Sequence, residues 1–130
     1  MHPIIYVPIE VKLRDLYPKL LFASKAVNKN YNIIIGDRYK LEKLSEFSAP
    51  SIFFSRGMEA PSYDRLFPKL KKNNTLIIVQ DVEAGQFFDN PIIYKFVRIN
   101  KTRLKYVSAF FAWSKSELNF LKDKYSNLNV

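Results

Sequence analysis

Glu10, Lys12 and Arg14 alternate with apolar residues in the stretch Ile9-Glu10-Val11-Lys12-Leu13-Arg14-Asp15. A carboxylate in such a run can act as a general base or orient hydroxyl groups. Lys and Arg beside it can hold a phosphate or carboxylate, Arg in bidentate fashion. A second polar set, Asp81-Val82-Glu83-Ala84-Gly85, lies far along the chain, and Arg38, Arg56 and Trp113 stand alone. Trp113 can stack on a sugar face or close a core. A solvated segment or plain salt bridges would also account for Glu10, Lys12 and Arg14, and a cap or turn for Asp81.

Several chemistries lack their residues. The chain has no cysteine and a single histidine, His2, which leaves little for a disulfide framework, a thiolate or zinc site, or a histidine-based triad. No Gly-x-Gly-x-x-Gly follows the first apolar run, and neither a Walker A motif nor a Gly-x-Ser-x-Gly elbow occurs. A phosphorelay receiver needs an aspartate closing its third strand, where this chain has Ser55. No cofactor is expected.

The elements that must position these residues follow from apolar patterning. Ile4 to Ile9 reads as a buried strand that hands over to a helix, Leu16 to Lys29, with apolar Leu16, Leu20, Ala23 and Val27 at helical spacing. Asp15 caps that helix, and Pro18 fits its first turn. Ile33-Ile34-Ile35-Gly36 is a second strand, and Asp37 caps a helix carrying Leu41 and Leu44. Ser51 to Ser55 is a third strand, followed by a helix between Ser62 and Lys72 that Pro68 should delay or kink. Thr75 to Asp81 is a fourth strand, and Asn90-Pro91 opens a helix from Ile92 to Tyr106. Ala109 to Trp113 is a fifth strand, and Ser114-Lys115-Ser116-Glu117 is a capping box before the last helix.

Strands alternating with helices imply a parallel sheet covered on both faces. The expectation is a single Rossmann-like doubly wound α/β domain over residues 1–130, with five parallel strands in the order 3-2-1-4-5. Ligands of such sheets bind beyond the carboxyl ends of the strands, at the switch point. Strands 1 and 4 would meet there, joining Glu10, Lys12 and Arg14 to Asp81, Glu83 and Gly85. Gly36, Gly57 and Gly85 all follow strands, where glycine permits close approach to a ligand or a tight turn.

An apolar share of 48% argues against disorder. No apolar run approaches the roughly 18 residues of a membrane span. The start, Met-His-Pro-Ile, has no charged region of a secretory signal, so a cytoplasmic location is expected. A net charge of +9 favours anionic partners: nucleic acid, acidic lipid surfaces or sugar phosphates. The abundance of Lys, Asn, Ile and Tyr also fits an AT-rich coding sequence.

The run Pro8-Ile9-Glu10-Val11-Lys12-x-Arg14-Asp15, with Lys19-Leu20-Leu21 after it and Ile35-Gly36 closing the next strand, resembles the bacterial surface carbohydrate biosynthesis proteins. These look like GT-B glycosyltransferases. Their acidic-Glu-Gly loop and Phe-Ala-Trp-Gly turn correspond to Asp81-Val82-Glu83-Ala84-Gly85 and Phe111-Ala112-Trp113-Ser114, with one extra residue in the loop and serine in place of glycine. The resemblance implies catalytic roles for Glu10 and Glu83. It implies substrate contacts from Lys12, Arg14, Gly36, Arg56, Gly57, Asp81, Gly85 and Trp113. Because a GT-B enzyme has two such domains, it also implies an acceptor-side half, inactive without a second, donor-binding domain or subunit. The partner would be an acceptor glycan or glycolipid, with peripheral contact to an anionic membrane. Two other classes stay open, a nonenzymatic protein-interaction module and a basic nucleic-acid-binding domain, although no nucleic-acid motif is visible.

Overall fold

The computed structural model describes residues 2–48, 50–82 and 98–124. Its strands are β1 (Ile4–Ile9), β2 (Asn32–Asp37), β3 (Ile52–Ser55), β4 (Leu76–Val79) and β5 (Ala109–Phe110). Between and after them lie α1 (Lys12–Val27), α2 (Arg38–Ser45), α3 (Tyr63–Lys72), α4 (Lys101–Leu104) and α5 (Lys115–Lys124). All five strands are parallel, so the fold is the expected Rossmann-like α/β sheet.

The strand order is 2-1-3-4-5 rather than 3-2-1-4-5. β3 inserts beside β1, pairing Ile5 with Ile52 and Tyr6 with Phe53, and β2 is left at the edge. Burial follows the exchange. Phe53, Phe54 and Ser55 of β3 are buried, whereas every residue of β2 is half-buried or exposed. The switch point therefore falls between β1 and β3, with β3 separating β1 from β4.

The reversal of winding at that point puts α1 on one face and α2, α3 and α4 on the other. Tyr6, Phe53, Ile77, Val79 and Phe110 project from the sheet toward Leu41, Leu66, Phe67, Leu70, Leu104 and Leu121 to form the main core. Tyr63 stacks on Phe67 within it, ring centroids 4.7 Å apart. The opposite face holds a smaller cluster, Ile5, Val7 and Phe54 against Phe22 and Ala26 of α1.

Local chemistry sets the helix bounds. α1 starts earlier than expected because Asp15 does not cap it from in front. From inside the first turns, its Oδ2 accepts the N–H groups of Glu10 and Val11, both at 3.0 Å. Pro18 consequently lies inside α1. Of the apolar residues expected on its inner face, Ala23 is buried, while Leu20 and Val27 are exposed. Asp37 caps α2 as expected, accepting the Lys40 N–H at 3.1 Å. α3 runs from Tyr63 to Lys72 with Pro68 inside, so proline does not delay it.

The expected helix from Ile92 to Tyr106 falls partly outside the described residues. Within them it is interrupted: extended Asn100 caps the short α4, its Oδ1 accepting from the N–H of Thr102 at 2.9 Å. Half of the expected capping box before α5 forms, and its Glu117 reaches one residue past Ser114. Ser114 Oγ accepts the Glu117 N–H at 3.1 Å, and Glu117 accepts the Trp113 N–H at 2.7 Å. Among the described residues no helix is long and apolar enough to cross a membrane.

Candidate functional site

β1 hands over to Glu10, β2 to Arg38, β3 to Arg56 and Gly57, β4 to Gln80 and Asp81, and β5, two residues on, to Trp113. Parallel strands bring all of these to one edge of the sheet. Glu10 is the hub. Its Oε1 accepts from Arg38 Nη1 at 2.7 Å, its Oε2 meets the guanidinium of Arg56, and Arg14 lies 3.7 Å away. Arg38 in turn donates to Glu42 at 2.8 Å, and Arg56 to Glu59 at 3.2 Å.

These charges are largely desolvated: the Arg38 and Arg56 side chains are only 10% and 8% exposed. Burial opposes the Arg38 charge, but the Glu42 hydrogen bond and nearby acidic groups outweigh it and hold its pKa above the ordinary value. Its guanidinium also lies over the Tyr39 and Tyr63 rings, at 5.3 and 5.5 Å from their centroids. Burial is likewise the main cause that pushes the Tyr63 hydroxyl up.

A cleft of about 460 Å³ opens over this cluster, lined by Glu10, Arg38, Tyr39, Arg56, Glu59, Ala60, Pro61 and Arg98. Glu59 was missed in the sequence, where it lies in an ordinary loop. One of its oxygens engages Arg56; the other, Oε2, is buried without a hydrogen-bond partner among the described residues. Arg98 was also missed. It grips Asp81 with two hydrogen bonds, at 2.8 and 2.5 Å, and so ties the β4 end to the cleft.

On the other side of Arg56 lies a second, more apolar pocket of about 190 Å³. Pro18, Phe22, Phe54, Val82 and Trp113 form its walls, with Arg14, Asp15, Lys19, Arg56 and Gln80 at its polar margin. Trp113 is 57% exposed, so it does not close a core. Its indole N–H donates to the Asp81 carbonyl at 2.5 Å, which fixes the ring at the pocket mouth. Below it, the Lys19 ammonium is buried against the Pro8 carbonyl and 3.9 Å from Asp15. Burial lowers the Lys19 pKa, and the Asp15 charge only partly offsets this.

The expected site residues thus divide. Glu10, Arg14, Arg56, Asp81 and Trp113 gather at the switch-point edge. Gly57 joins them, packed so closely that a Cβ would strike the Glu59 carboxylate. Gly36 lines neither pocket; a Cβ added there would meet Leu41 at ordinary contact distance, 3.5 Å. Lys12 is exposed on the first turn of α1, lines neither pocket and makes no ion pair among the described residues. Glu83 and Gly85 lie outside the described residues. β1 and β4 do not adjoin; β3 stands between them, and Arg56 bridges the gap.

Three guanidiniums and two carboxylates around one cleft suit a ligand that carries both an anionic group and hydroxyls. Among the described residues no cluster of His, Asp and Glu could hold a metal ion. The fold and site together define a doubly wound α/β domain with an ionic cleft at its switch point. Comparison with protein-family models, curated proteins and solved structures finds no match.

Proposed function

We propose that this chain is the acceptor-side, amino-terminal half of a GT-B-like glycosyltransferase of surface polysaccharide biosynthesis, and that the switch-point cleft binds an anionic sugar. The observation that carries this is the arrangement of Glu10 between Arg38 and Arg56, facing Glu59. Both oxygens of Glu10 are engaged by guanidiniums, which suits it to hold them in place. Their edges then meet a sugar carboxylate or phosphate, while the Glu59 carboxylate at the cleft wall, its side chain 29% exposed, accepts a hydroxyl. Glu59 is better placed than Glu10 to take a proton from an acceptor hydroxyl, since among the described residues one guanidinium holds it where three hold Glu10. Trp113, at the adjoining pocket, offers a ring face to a second sugar or to the apolar part of a glycolipid.

Transfer itself would need a donor-binding domain, so the chain alone should release no product from a nucleotide sugar. Calorimetric titration with a hexuronic acid, a hexose 1-phosphate and a neutral hexose tests the binding claim. The two anions should bind saturably and the neutral sugar should not, and Arg56→Ala should remove the difference. Equal, weak response to all three would refute the assignment.

A further inference from the structure

We propose that the outer face of α1 seats this domain on an anionic lipid surface. A helix packed on a sheet normally turns its apolar residues inward. α1 does so only in part: Phe22, Ala23 and Ala26 face the sheet, but two of its three buried residues, Asp15 and Lys19, are charged, and large apolar residues lie outside. Leu13, Tyr17, Leu20, Leu21 and Val27 are 95%, 82%, 46%, 61% and 56% exposed. Leu13, Tyr17, Leu20 and Val27 follow one line along the helix, a stripe about 21 Å long at 1.5 Å per residue. The two buried charges have a visible cause, because Asp15 must reach the N–H groups of Glu10 and Val11 and Lys19 must reach the Pro8 carbonyl. Those bonds explain the charges on the inner face but not an apolar outer one.

The charge around the stripe indicates its occupant. Lys12 and Lys25, on opposite sides of the stripe, and Lys29 beyond its end are exposed and make no ion pair among the described residues. The chain as a whole carries +9. A second copy would set lysine against lysine, at a repulsive cost. A partner helix would have to supply negative charge on both sides at once. A bilayer containing acidic lipid does this at a single depth and takes the apolar stripe into the boundary between headgroups and acyl chains. Tyr17 is of a type that prefers that boundary. The proposal does not depend on what the switch-point cleft binds.

The test is flotation of the full chain with vesicles of phosphatidylcholine, alone or mixed with phosphatidylglycerol, at low and high salt. The chain should float with the mixed vesicles at low salt and not with the neutral ones. Replacing Lys12, Lys25 and Lys29 together by Gln should weaken binding about a hundredfold. Leu13→Gln with Tyr17→Gln should weaken it about tenfold or more at unchanged net charge. Both sets lie at exposed positions, so unchanged circular dichroism should accompany the loss. Failure to float with mixed vesicles, flotation indifferent to Leu13 and Tyr17, or a solution dimer dispersed by those two substitutions would each overturn the proposal.

Discussion

Glu10 and Arg56 form an ion pair across the switch point, joining the ends of β1 and β3, which run side by side although a strand and two helices separate them in sequence. The pair closes the gap where the winding reverses, and Arg38 fixes it from the β2 side at 2.7 Å. Losing Glu10 would take a carboxylate partner from each of two buried guanidiniums, Arg38 and Arg56, which keep Glu42 and Glu59 beside them. Glu10→Ala should therefore destabilise the fold by about 2 kcal/mol, less than a fully buried pair would because the Glu10 side chain is partly exposed. Urea unfolding measures this, and a loss under about 0.5 kcal/mol would contradict the hub role.

Acid should weaken the turn from β1 to α1. Burial works against the Asp15 charge, but hydrogen bonds from Arg14 and the Val11 N–H, with the Lys19 charge, keep its carboxyl below 3.8. The unfolded chain then takes up its proton first as pH falls. The stability contributed is full above about pH 4 and is lost as pH drops through the lower folded value. Asp64, held by Arg103, acts with the same sign. Asp15→Asn should lower stability at neutral pH and flatten part of the acid limb in unfolding curves recorded across that window.

Gly57 and Gly36 should answer differently to alanine. At Gly57 the new methyl would displace the Glu59 carboxylate, the flexible end of a side chain, so the fold should survive with a loss of about 1 kcal/mol. Sugar binding should fall about tenfold, equivalent to roughly 1.4 kcal/mol. At Gly36 the methyl meets Leu41 at 3.5 Å, and both stability and binding should stay near wild type. Paired thermal melts and titrations separate the two, and equal binding losses would contradict the placement of Glu59.

The Ser114 cap at α5 should be worth about 1 kcal/mol, so Ser114→Ala should lower the unfolding free energy by that amount. Because the same turn holds Trp113 through Glu117, the indole fluorescence of Ser114→Ala should shift as well.

Fold class was legible because each strand is a compact apolar run punctuated by glycine, proline or polar residues. Strand order was not. Ile33, Ile34 and Ile35 look as fit for a central strand as Phe53 and Phe54, and only three-dimensional burial separates them. The inner face of α1 was misread for a related reason. Periodicity reports which residues share a side, while the hydrogen bonds of Asp15 and Lys19 decide which side turns inward. Glu10, Arg14 and Arg56 could be placed because position after a strand suffices to predict an edge. Glu59 and Arg98 follow no pattern of spacing; the nearest signal was Gly57, whose missing side chain makes room for the Glu59 carboxylate.

The central claim is that the guanidiniums of Arg38 and Arg56, aligned by Glu10, receive an anionic sugar. Nuclear magnetic resonance of arginine side-chain Nε–H groups during titration with a hexose 1-phosphate reads this most directly. The Arg38 and Arg56 signals should move together along one saturation curve while the exposed Arg65 stays fixed. Shifts spread over Arg65 and the surface lysines, with Arg38 and Arg56 unmoved, would contradict it.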